Sequence, residues 1–106
     1  MRLADCRPLY HDLMDAHEEH ILTIAEIVRD SAAMNEAALA GDFEEVRFRN
    51  ALIVGKAGAA ELHDVVLAAA HLQTVLGPPG STPRWGYGHA MLRIANELGK
   101  VGFDPL

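Results

Sequence analysis

Cysteine occurs once, as Cys6, which excludes an internal disulfide and a thiolate metal cluster and suits a cytoplasmic location. Basic side chains are also scarce. Nine Lys and Arg stand against fifteen Asp and Glu, a formal net charge of −6, whereas a surface that grips nucleic-acid phosphates needs clustered cations. Nucleic acid is therefore not an expected partner. Nowhere is there an unbroken apolar run of the ~18 residues that a membrane-spanning helix requires. The opening MRLADCRPLYHDL likewise lacks an apolar core of signal-peptide length, so neither membrane insertion nor secretion is expected. Strand-like alternation, internal repeats and low-complexity tracts are missing too.

What remains is aliphatic. Hydrophobic residues make up 50% of the 106 residues but aromatics only 6%, and Ala, Leu, Ile and Val supply most of the rest. Alanine has the best helix propensity and lets helices approach closely, so the composition suits a helical core in a single domain, residues 1–106. The apolar period predicts helices over about 9–30, 31–40, 42–56, 59–76 and 87–100, packed as a compact antiparallel four-helix-bundle-like, all-α domain. Asp30-Ser31 is a candidate interruption between the first two segments, a single long helix being the alternative. At 100° per residue, Tyr10, Met14, His17, Ile21, Ile24 and Val28 share one face of the first helix, with Asp12, Asp15, Glu19, Glu26 and Asp30 opposite. Gly41 ends that region and Asp42 caps the next helix, with Glu44 and Glu45 in its first turn. Gly55 and Gly58 weaken helix in quick succession and offer a bend near Lys56, continuation straight through being the alternative. Leu62, Val65, Val66, Ala69, Leu72 and Leu76 define the core face of the following helix. Gly77-Pro78-Pro79-Gly80-Ser81-Thr82-Pro83 cannot be helical. Met91, Leu92, Ile94, Ala95 and Leu98 are the packing candidates of the last helix, and Trp85-Gly86-Tyr87 is placed to close one end of the bundle.

Six histidines raise the question of metal binding or phosphoryl transfer. His17 and His20 are three apart and can approach one metal ion from one helix, but no E-x-x-H pair accompanies them and two ligands do not complete a site. The alternative for His17 is a buried structural histidine bonded to a neighbouring helix. His63, Leu67 and His71 recur at i, i+4 and i+8 on the polar side of their helix, beside Asp64, and are expected to be wet. No nucleophile stands beside a base, so no catalytic residue is assigned and no cofactor is implied. The Gly-rich stretches lack the phosphate-cradling pattern and read as chain punctuation.

The helix from Asp42 carries two apolar faces. Phe43, Val46, Asn50, Ile53 and Ala57 suit the domain core, while Phe48, Ala51, Leu52 and Gly55 lie on the other side. Such a helix is either buried between neighbours or offers one face to a partner. The stretch Ala37 to Gly58, AALAGDFEEVRFRNALIVGKAG, resembles the histidine-containing phosphotransfer domains of bacterial two-component relays. There a helix also begins at a Gly-Asp turn and further on shows H-x-L-K-G. The matching positions here are Ala51, Leu52, Ile53, Val54 and Gly55, which keep the glycine and an aliphatic residue but replace the phosphoacceptor histidine and the lysine. The spacing from Gly55 to the next helix is also shorter than in that family. The resemblance implies a helical bundle that takes part in signalling without accepting phosphate. The functional expectation is a non-enzymatic interaction or regulatory module. It would bind a protein partner or its own copy through Phe48, Ala51, Leu52 and Gly55. A self-associating bundle and a His-based metal- or ligand-binding bundle are the alternatives.

Overall fold

A computed structural model describes residues 2–101 of the backbone and the side chains of residues 18–101. Within them lie α1 (Arg2–Leu39), α2 (Phe43–Ala59), α3 (His63–Leu76) and α4 (Tyr87–Lys100), with no strand. Each helix packs on the next and α4 returns to α1, giving an all-α, antiparallel four-helix bundle. The α1–α4 contact is the smallest of the four seams.

Two chain reversals share one geometry. At the end of α1, the Asp42 N–H donates to the Ala37 carbonyl at 2.8 Å and the Gly41 N–H to the Ala38 carbonyl at 3.1 Å, with Gly41 at φ +77°. At the end of α2, Leu62 N–H reaches the Ala57 carbonyl at 2.9 Å and Glu61 N–H reaches the Gly58 carbonyl at 3.1 Å, with Glu61 at φ 61°. Both are Schellman caps, whose left-handed residue is usually glycine. In the second that place falls to a glutamate. The helix therefore runs through Gly55 and Gly58 rather than bending near Lys56, and α3 starts at His63 rather than at 59. Asp42 caps α2 as expected, its carboxylate accepting from the Glu45 N–H at 3.2 Å.

Asp30-Ser31 does not interrupt α1. Both are buried, and the Asp30 carboxylate is engaged across the seam with α2, so it is not free to cap a new helix. Among the described residues of α1, the buried ones are Ile24, Ile27, Asp30, Ser31 and Met34. This stripe is rotated by roughly a quarter turn, at 100° per residue, from the one drawn on the apolar residues alone. Ile21, assigned to the core face, is half exposed, and Asp30, assigned to the opposite face, is buried. Tyr10, Met14 and His17 lie outside the residues whose side chains are described.

Ile27, Met34, Val46, Ile53, Val65, Leu72, Leu76 and Ile94 form the sealed centre. Met91, Ile94 and Leu98 of α4 join it as expected, but Leu92 and Ala95 face outward. At the loop end, Phe43 and Tyr87 meet edge to face, with centroids 5.1 Å apart, an arrangement that suits the aromatic quadrupole. Tyr87 thus closes the bundle there. Trp85 does not, being 99% exposed.

Candidate interaction surfaces

The inner face of α2 places Val46, Asn50, Ile53 and Ala57 in the core, and the helical period then turns Phe48, Ala51 and Gly55 directly outward. Phe48 is 55% exposed, Ala51 and Gly55 are exposed, and Leu52 is half-buried on the flank. The four residues do form one continuous face, and it is not sealed within the bundle. A methyl group built on Gly55 would meet no heavy atom within 4 Å, so nothing in the bundle requires glycine there.

The two flanks of this face are fixed by ionic and polar side chains. Towards α1, the Asp30 carboxylate accepts from Arg49 Nη1 at 3.0 Å and Lys56 Nζ at 2.8 Å, while Arg49 Nε reaches Glu45 at 2.8 Å and Lys56 also approaches Glu26 at 3.3 Å. Bonds to Glu45 and then Asp30 raise the basicity of the Arg49 guanidinium, and the bond to Asp30 is the chief cause of the raised pKa of Lys56. Arg49 also lies 5.9 Å from the centre of the Phe48 ring, which couples the exposed aromatic to the ion cluster.

Towards α3, Arg47 gathers the end of that helix and the proline-rich loop. Its guanidinium donates to the carbonyls of Leu76 at 2.9 Å, Gly77 at 3.2 Å and Ser81 at 2.7 Å, and pairs with Glu44 at 3.0 Å. Glu44 in turn accepts from the Gly80 N–H at 3.0 Å. Arginine suits this task because its planar fork presents five donors, and the last carbonyls of a helix have no donors of their own. One turn further along α2, Asn50 Nδ2 donates to the Ala69 carbonyl at 2.9 Å, while its Oδ1 is buried without a protein donor. Between Arg47 and Asn50 on one side and Gln73 and Thr74 on the other lies an open groove of about 450 Å3, and Ala51 forms part of its wall.

Among the described residues, His20, His63 and His71 do not converge with this face. His63 and His71 are exposed on α3 beside Leu67, which is 59% exposed, as the polar pattern of that helix implied. His20 is exposed in a shallow depression with Glu19, Thr23, Ala59 and Ala60, and the side chain of His17 lies outside the described residues. Among the described residues, no three His, Cys, Asp or Glu side chains are grouped so as to hold a metal ion. No described helix is long and apolar enough to cross a membrane.

Three features escaped the sequence reading. Arg47 and Asp30 act on partners 19 to 34 positions away, and the local pairs Glu44–Arg47 and Glu45–Arg49 give no sign of those distant contacts. Trp85 is 99% exposed, just before Gly86, which caps α4 at φ +99°. No protein-family model, curated protein or solved structure matches the chain.

Proposed function

We propose that this protein is a non-enzymatic helical interaction module that holds a protein partner against the outward face of α2. The observation that supports this reading is the pair of apolar faces on one helix. The inner face is fully used by the core, while Phe48, Ala51 and Gly55 face solvent and Leu52 borders them. Polar bonds to α1 and α3 hold the helix on both sides, so the exposed face is presented on a rigid support, which lowers the entropy lost on binding. Completing the burial of Phe48 and Leu52, which are already partly covered, would contribute a fraction of the roughly 1.5–3 kcal/mol gained by a fully exposed side chain, before association costs.

The resemblance to phosphotransfer domains gives this reading its signalling context. The position matched to the phosphoacceptor, Ala51, is solvent-facing, where an acceptor would have to be, yet carries only a methyl group. A regulator that occupies a receiver-like partner without taking its phosphate is the corresponding role.

The test uses the full chain as bait beside Phe48→Glu and Gly55→Arg. Both positions are exposed, so both variants should keep the parent's circular dichroism and melting curve while losing the partner. Equal capture by all three baits would remove α2 from consideration, and loss of fold would return the face to the core. Incubation with phosphorylated receiver domains should leave α2 unlabelled.

A further inference from the structure

The end of the bundle where α4 begins carries a second surface, independent of the outward face of α2. Trp85 is 99% exposed, Leu39 is 89% exposed, and Leu92 is 56% exposed. A fully solvated tryptophan is among the largest apolar groups a surface can leave uncovered, and such residues are the commonest anchors of protein interfaces. Its base is not loose. The Arg84 N–H donates to the Val75 carbonyl at 2.8 Å, and the preceding loop is bound by Arg47 through Ser81. The indole is therefore a projecting group on a fixed mount.

Beside it, the last turns of α1 and the first turns of α4 stand apart around a groove of about 410 Å3. Its wall is Ala38, Leu39, Met91, Leu92 and Ala95, with Asn35 as a polar group within reach. That chemistry matches an indole: an apolar slot for the ring system, a thioether to meet its edge, and an amide oxygen to accept its N–H. Trp85 cannot be filling this groove in its own chain, since it is almost wholly solvent-exposed.

The geometry points to a second copy of this chain as the occupant, each Trp85 entering the groove between α1 and α4 of the other across a two-fold axis. Projection and slot lie side by side at one end, Tyr87 of the slot being two residues from Trp85, as a self-complementary contact requires. The area is also adequate. An aromatic side chain buries about 150–250 Å2 and its slot loses a similar amount, so two insertions approach on the order of 800 Å2. The rim around the two slots must supply the remainder of the ~1,200–2,000 Å2 of a stable interface.

Trp85 is the single tryptophan, so its fluorescence reports on this contact alone. Emission of the full chain should move to shorter wavelength as concentration rises, in step with dimer formation by sedimentation equilibrium. Leu39→Glu and Ala95→Arg alter residues exposed in the protomer. They should leave helicity intact, weaken self-association by roughly 30-fold or more, as loss of an anchor does, and keep the emission at its solvated position. Phe48→Glu, which tests the α2 face, should leave all of this unchanged. Emission that stays solvated at every concentration overturns the proposal, as does emission already shifted in the monomer or a dimer that survives both groove variants.

Discussion

α2 and α4 are both amphipathic helices in the same bundle, yet they are held in different ways. α2 is tied to α1 through Asp30, Arg49 and Lys56, and to α3 and its loop through Asn50 and Arg47. Among the described residues, no side-chain hydrogen bond or ion pair joins α4 to α1 or α3. Its buried residues, Ala90, Met91, Ile94 and Leu98, are all apolar. Polar bonds fix register and orientation because they have angles and distances to satisfy, whereas apolar packing favours proximity and tolerates sliding. The bundle thus contains one helix whose position is specified and one whose position is only favoured. The two proposed surfaces follow that division: a rigid face on α2 and a pliable slot along α4.

The largest effects should come from removing core volume on each helix. Ile53→Ala and Ile94→Ala, at sites of 0% exposure, should each cost about 2–5 kcal/mol in urea unfolding. Native-state hydrogen exchange should separate them. Ile94→Ala should lower protection mainly in α4, while Ile53→Ala should lower it throughout; equal losses everywhere would erase the distinction. Next comes Arg47→Ala, which leaves the Leu76, Gly77 and Ser81 carbonyls without their shared donor and should cost about 2–4 kcal/mol, with Arg47→Lys recovering only part. Asp30→Ala removes the buried partner shared by two cations that are each 31% exposed and keep Glu45 and Glu26, so the loss should be held to about 1–3 kcal/mol. The same pair sets an alkaline limit. Because the folded pKa of Lys56 is raised, its contribution is complete below the unfolded value of about 10.4 and fades as pH climbs through the folded value, which a pH series on Lys56→Met should fail to show. The smallest effect should be Asn50→Leu. It removes a buried oxygen that lacks a donor, and the Ala69 carbonyl keeps its place in the α3 ladder, so the change should be within about 1 kcal/mol of neutral and of either sign.

The helical class, the cap at Asp42, the loop from Gly77 and the α4 limits were legible because each depends on neighbours in sequence. The end of α2 was not. Gly55 and Gly58 are the residues that ought to break a helix, but the reversal is placed at Glu61 by the packing of Leu62 against the core, at the expense of an unfavourable left-handed glutamate. The stripe of α1 was misplaced for a related reason. Asp30 reads as a solvent residue until Arg49 and Lys56, nineteen and twenty-six positions away, are brought beside it. On α4, Leu92 and Ala95 have the right hydropathy for the core but face the unfilled side of the α1 seam, which no local pattern records. On α2 the outward positions of Phe48, Ala51 and Gly55 were readable, since the 3.6-residue period alone sets them opposite Val46 and Ile53, whereas Leu52 lies half-buried on the flank.

The connections have a consequence in time. Three residues separate α1 from α2 and another three separate α2 from α3, while ten lie between α3 and α4. Closing α4 onto α1 joins segments far apart along the chain, so that step carries the greatest loop-closure cost and the least local reward. We expect the first three helices to form the folding nucleus and α4 to dock after the rate-limiting barrier. Denaturant chevrons should then show Ile94→Val accelerating unfolding with little change in refolding, and Ile53→Val slowing refolding. A chain emerging from synthesis would hold its α2 face formed before the slot for Trp85 exists, so partner capture could precede self-association by the order of assembly alone.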